Sequence, residues 1–181
     1  MNEPADIPAT VRSYRKEDLP ACRLLYRDGL LGGQLAENDT GLDIDDIEIA
    51  YMRDAGNHFW VAEISDDGGK PDIAGMVGVQ HYEDGVGEIR RLRVKSDMRR
   101  RGIGSKLIET ALQFCQDNGY LKIMLDTFID REPAIKLFEK FRFHHSRTRT
   151  FADKELLFFY LDLYTGAPRT GDSGRSPEGA A

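Results

Sequence analysis

The sequence predicts one α/β domain built on a mixed sheet. Three observations predict it. Residues 58–95 read as successive strands divided by glycine-containing turns. Residues 102–118 and 132–141 carry apolar side chains at helical spacing. A short apolar strand, 122–127, lies between those two helices, so strand and helix alternate there.

Length and composition agree. At 181 residues the chain can bury one proper core. Its 40% apolar and 31% charged residues are those of a folded protein and exclude a disordered one. No run approaches the roughly 18 apolar residues of a membrane span, so no membrane partner is expected. Residues 1–10 hold Glu3 and Asp6 without a basic cluster, and read as a flexible lead-in rather than a secretory signal. Cys22 and Cys115 fall on apolar helical faces and are expected as buried free thiols, which points to the cytoplasm. The net charge of −6 gives the chain as a whole no attraction to nucleic acid or anionic lipid.

The elements follow in order. Val11 to Tyr14 alternates apolar and polar residues, as a first strand does. Asp18 is placed to cap a helix with Pro20 in its early turn and Leu19, Cys22, Leu25 and Tyr26 as its apolar stripe. Residues 34–43 read as a loop and 44–54 as a second helix with Ile47, Ala50 and Tyr51 inward. His58–Ile64 and Ile73–Tyr82 form a hairpin around 66–71, and Glu88–Lys95 is the next strand. The helix 102–118 turns Ile103, Leu107, Ala111, Leu112 and Cys115 to the core and ends at Gly119. Lys122–Thr127 is a strand. The helix 132–141 has Pro133 in its first turn, and 148–151 with 156–163 make a closing hairpin. Residues 165–181 are rich in Gly, Pro, Ser and Ala and read as a disordered tail, leaving 11–164 as the folded domain.

One stretch departs from the acidic average. Seven of the twelve residues from Arg90 to Arg101 are Arg or Lys, and they run into Gly102-Ile103-Gly104-Ser105 at a helix start. The first amides of a helix lack intrahelical partners and carry partial positive charge, which suits an anion. Gly102 and Gly104 leave room for a phosphate, and Arg99, Arg100 and Arg101 add charge at the rim. By itself the hexapeptide fits a glycine turn in a basic loop equally well. It is not a Walker A loop, since no Lys-Ser/Thr follows, and the third glycine of a dinucleotide fingerprint is replaced by Leu107.

Taken with its surroundings, the stretch resembles a known motif. Leu92-x-Val94 followed by Arg99-x-x-Gly102-x-Gly104 and an apolar helix resembles the acetyl-CoA-binding motif of the GCN5-related N-acetyltransferase (GNAT) family. Ala134-x-x-Leu137-Phe138-Glu139-Lys140-x-x-Phe143 is similar to that family's second motif, and Val11-Arg12-x-Tyr14-Arg15-x-x-Asp18 to common family starts. The resemblance implies a splayed, mostly antiparallel sheet and acetyl-CoA as co-substrate, without a metal. The pantetheine arm would run along Leu92, Arg93 and Val94. The diphosphate would sit on the amides of Arg101, Gly102, Ile103, Gly104 and Ser105, and the Val94 amide would face the thioester oxygen. Arg131 and Ala134 stand where the family contacts the cofactor. Phe138 replaces the tyrosine that usually serves as general acid, and would pack near the thiol end.

Acyl transfer to an amine needs a base, because a primary amine is protonated at neutral pH. Glu88, six residues before Val94, stands where some members place a glutamate base. Its other reading is a solvated strand-end carboxylate, or one paired with Arg90. His81 is a second candidate base, and Tyr82 or Tyr120 could replace the missing phenol, although each reads more simply as packing. The acceptor is expected to be the amine of a small molecule or peptide. Acidic residues Glu37, Asp39, Asp43, Asp45 and Asp46 hint at a cationic one, or are simply solvated. A homodimer is the default assembly. The rival readings are an acyl-CoA-binding sensor without turnover, which Phe138 favours, and nucleic-acid binding through Arg90–Arg101, which lacks interleaved aromatics.

Overall fold

The structure, a computed structural model, describes residues 8–29, 39–65, 68–151 and 153–164. The readings for most of the lead-in, for the loop before Asp39 and for the tail lie outside these residues.

Seven strands form one sheet: β1 (Thr10–Ser13), β2 (His58–Ser65), β3 (Pro71–Glu83), β4 (Val86–Val94), β5 (Lys122–Phe128), β6 (His144–Phe151) and β7 (Lys154–Asp162). Their order is β1-β2-β3-β4-β5-β7-β6. Every neighbouring pair is antiparallel except β4 and β5. The helices are α1 (Leu19–Asp28), α2 (Leu42–Asp45), α3 (Ile47–Tyr51), α4 (Ile103–Asp117) and α5 (Glu132–Lys140). The expected mixed, mostly antiparallel sheet is therefore present.

The sheet is covered on both faces. That is why β3 is continuously buried from Ile73 to Val79 instead of alternating. On one face α4 presents Ile103, Leu107, Ile108, Ala111 and Cys115 to Trp60, Ala62, Ala74, Val77, Val79 and Ile89. On the other, Cys22, Leu25 and Tyr26 of α1 join Ile44, Ile47 and Tyr51 against Phe59, Val61 and Met76. Burying a side chain such as Leu107 contributes about 2 kcal/mol.

The structure corrects three local expectations. Asp18 stands at the start of α1 but does not cap it. Its carboxylate accepts from Arg12 (2.8 and 2.9 Å) and from the Arg15 amide (2.8 Å). The helix expected over 44–54 is two short ones, because Asp46 takes an extended φ of −142° and accepts from the Ile49 amide. The closing hairpin is longer than expected, since β6 starts at His144. All eight of its residues are exposed, so no apolar alternation marked it.

Candidate active site

Beyond Val94 the chain makes a 3-10 turn at Ser96–Met98 and enters α4 through Arg99–Gly102. Gly102 has φ +76°, a left-handed conformation that glycine adopts without strain, and Arg100 shares it at +58°. The first helical bond runs from the Lys106 amide to the Gly102 carbonyl (3.1 Å). The amides of Ile103, Gly104 and Ser105 thus have no intrahelical partner. Arg99 and Arg100 are exposed and Arg101 half-buried around them. Lys140 of α5 donates to Ser105 Oγ (3.1 Å), adding a cation that sequence reading did not place here. Its only signal was its place in the second motif.

The strand before this helix is open on one side. β4 and β5 pair only at Val86↔Lys122, Gly87↔Ile123 and Glu88↔Met124, and then diverge. Among the described residues, β4 from there to Val94 keeps only β3 as a paired strand. Met76 opposes Arg93 and Gly78 opposes Arg90, so Arg91 and Leu92 bulge opposite Val77, with Arg91 at φ +59°. The Lys95 amide donates to the Ala74 carbonyl on the β3 side (2.8 Å). Successive amides alternate along a strand, so the Val94 amide faces the open side. Leu92 and Val94 are half-buried against the α4-side core, as is Ala134 of α5. An open strand edge leading to a helix N-terminus ringed by cations fits an extended thioester with a diphosphate.

The family model described as acetyltransferase (GNAT) family matches residues 21–143, more than half of the chain. The chain belongs to the GNAT family. Human N-acetyltransferase 8 is 35% identical over 106 residues, which are 56% of this chain and 44% of that protein. N-acetylaspartate synthetase of Xenopus tropicalis is 38% identical over 104 residues, 57% of this chain and 36% of that one. This GNAT chain thus spans less than half the length of these two relatives. A GNAT acetyltransferase from Staphylococcus aureus Mu50 superposes with a TM-score of 0.72 at 17% identity, over 87% of this chain and all of that one. A putative acetyltransferase from Salmonella typhimurium, solved with its cofactor acetyl-CoA, superposes at 0.71 and 20% identity, over 88% and 96%. Both share the GNAT fold.

In this GNAT chain Glu88 occupies the last paired position before the strands part. Burial pushes its carboxyl above the usual range. Arg90, 3.8 Å away, acts against that rise and Asp126 adds to it. Asp126, on the diverging part of β5, is open to solvent, yet surrounding protein raises its pKa as well, with Arg90 and Arg91 opposing. Sequence reading missed Asp126, because only the splay brings it to the same apex.

Arg91 is buried and saturated. It donates to Asp39 (2.6 and 2.8 Å) and Asp43 (2.8 and 2.5 Å), and its guanidinium lies over the Tyr26 ring. Burial alone would raise Asp39 and Asp43, but the hydrogen bonds from Arg91 more than offset it and hold both below the usual range. These two acids are therefore internally neutralised and do not form a free patch for a cationic acceptor. Arg93 is different: it packs on Gly29, and its Nε is buried without a partner. Arg131, the residue before α5, donates to the Gly29 carbonyl.

Phe138 is 4% exposed and packs with Phe143 and Phe159 in the core. The Tyr120 hydroxyl donates to the Gly56 carbonyl (2.6 Å), and Tyr82 is exposed. The His58 ring packs at a tilt against Trp60 and Phe114, and the exposed His81 ring at a tilt near Tyr120. Among the described residues no group of His, Cys, Asp and Glu is arranged to hold a metal, and no helix is long and apolar enough to cross a membrane.

Proposed function

We propose that this chain is an N-acetyltransferase that moves the acetyl group of acetyl-CoA to the primary amine of a small molecule or peptide. The observation that carries the reading is the continuity of the open edge of β4 with the unpaired amides of α4. Family membership and the N-acetyltransferase names of its relatives support it. In this reading Leu92–Val94 hold the pantetheine arm. The amides from Arg101 to Ser105, with Arg99, Arg100 and Lys140, hold the diphosphate. Glu88 takes a proton from the acceptor ammonium, directly or through water. The amine nitrogen then attacks the thioester carbon, and the Val94 amide donates to the oxyanion that forms. The carbon–sulfur bond breaks, and the second proton that the attacking nitrogen must lose passes through water to the departing thiolate. A thiol is acidic enough, near pKa 8.5, for this without a general acid. Phe138 is then no obstacle, although its lack of a hydroxyl is the feature that favours a non-catalytic acyl-CoA sensor.

The relative named for N-acetylaspartate shows that a close sequence can carry an amino-acid product in its name, which supports a small polar acceptor. A cytoplasmic setting belongs to the same reading and rests on the two buried free thiols, Cys22 and Cys115. The test is to mix protein, acetyl-CoA and an amine panel, following thiol release and the mass of an added acetyl group. Release with a matching mass gain supports the transferase. Acetyl-CoA binding without release on any amine overturns it in favour of the sensor.

A further inference from the structure

Resting on that reading, we infer that the acceptor carries a carboxylate, held by the guanidinium groups of Arg93 and Arg131 beside the C-terminus of α1. Two enclosed arginines of this chain are fully paired. Arg91 has two aspartates, and Arg12 has Asp18 and Glu63. Arg93 has neither. Among the described residues its Nη1 donates only to the neighbouring Leu92 carbonyl (2.8 Å), and no carboxylate pairs with it directly, although Asp39 acts on it through space. Gly29 draws the second cation to the same place. A Cβ on Gly29 would overlap Arg93 Nε, and Arg131 reaches the Gly29 carbonyl from the other side of the cleft. Burial first, then Arg131 and Arg91, disfavour the charged form of Arg93. Among the described residues neither cation makes a direct ion pair, although Asp39 acts on both and Asp130 on Arg131 through space, and an incoming carboxylate would supply the missing contact and accept from their planar forks.

The position fits an acceptor better than the cofactor. A cavity of about 230 Å³ beside Arg93 is lined also by Leu25, Asp28, Gly29, Val94 and Arg99. Arg93 leaves β4 on the α1 face, against Gly29, whereas Leu92 and Val94 pack toward α4. The diphosphate has its own donors at the start of α4. Val94 borders the cavity and turns its amide to the cleft, so an anion seated at Arg93 lies close to the thioester position. Glu88 and Asp126 provide the opposite sign at the apex, and Asp126 feels the charge of Arg93. The cleft is therefore polarised: the amine goes to the carboxylates and the acid to the arginines.

The test compares free L-amino acids with their C-terminal amides, which keep the amine and lose the charge. Wild type is expected to favour the acids by about tenfold or more in kcat/KM, the worth of a charge-assisted pair. R93Q and R131Q should each remove that preference, read as a rise in the KM of the acid that the amide does not share, while R93K keeps part of it. R93Q should melt no lower than wild type, because it removes a buried charge that makes no direct ion pair with a described residue. Equal use of acids and amides by wild type overturns the inference. So does a rise in the KM of acetyl-CoA with the acid preference intact, which would assign the arginines to the diphosphate. A second arm needs no turnover: N-acetyl-L-amino acids and their amides are titrated into the protein–CoA complex by calorimetry. Acid-selective binding lost in R93Q supports the carboxylate seat even if no amine releases CoA, in which case only the transfer reading fails. Absence of acid-selective binding overturns the seat.

Discussion

At the residue scale the cleft is decided by which charges find partners. Glu88 is held above the usual carboxylate range mainly by burial, so as a base it becomes competent only as pH rises through that raised value. The acidic limb of kcat/KM should therefore lie above the ordinary glutamate range, and E88Q should abolish the limb and lower kcat by about a hundredfold or more. D126N removes a charge that raises Glu88, so the limb should move to lower pH. A pH–rate profile of each variant checks both. Arg91 makes the opposite case. R91M leaves Asp39 and Asp43 enclosed without a cation, and should cost about 3 kcal/mol in chemical denaturation. Asp39 and Asp43 have lowered pKa values in the fold, so their contribution is present above the unfolded value and is lost as pH falls through the folded ones. Wild type should lose stability in that acid window, and R91M should lose much less there. These pairings were illegible in the sequence. Arg91 read only as one of a basic run, and Asp39 and Asp43 only as members of an acidic loop, because 48 or more residues separate the partners.

At the scale of elements, α4 was the most legible piece. Its apolar spacing and the two glycines at its start, Gly102 and Gly104, carry the helix start and the anion site together, and the structure begins the helix at Ile103. Gly102 holds φ +76°, so G102A should lower the melting temperature, costing about 1–2 kcal/mol, and should weaken CoA binding because the amides behind it shift. Thermal melts with and without CoA separate the two effects. β6 was legible only in its last four residues. An edge strand exposed along its whole length carries no apolar period, and its first residues, His144–Arg147, look like any polar loop. The bulge at Arg91 was hidden too, since an arginine at positive φ leaves no glycine to mark it.

At the scale of the whole molecule, a sheet buried on both faces divides the work. The α4 side holds one apolar core, and the α1–α3 side holds a second one together with the Arg91, Asp39 and Asp43 network. L107A should cost about 3 kcal/mol by cavity formation while leaving the acidic limb of the pH profile in place, which a denaturation curve and a rate profile check together. The mixed sheet could be read from strand–helix alternation, and the splay from the family resemblance. What the apex joins, Glu88 to Asp126, depends on where β4 and β5 stop pairing, and no local pattern states that. The most direct test of the whole account is a crystal structure with acetyl-CoA. It should place the diphosphate on the amides of Ile103–Ser105, the pantetheine arm along Leu92–Val94 and the thioester oxygen at the Val94 amide. A cofactor bound outside the gap between β4 and β5 would contradict it.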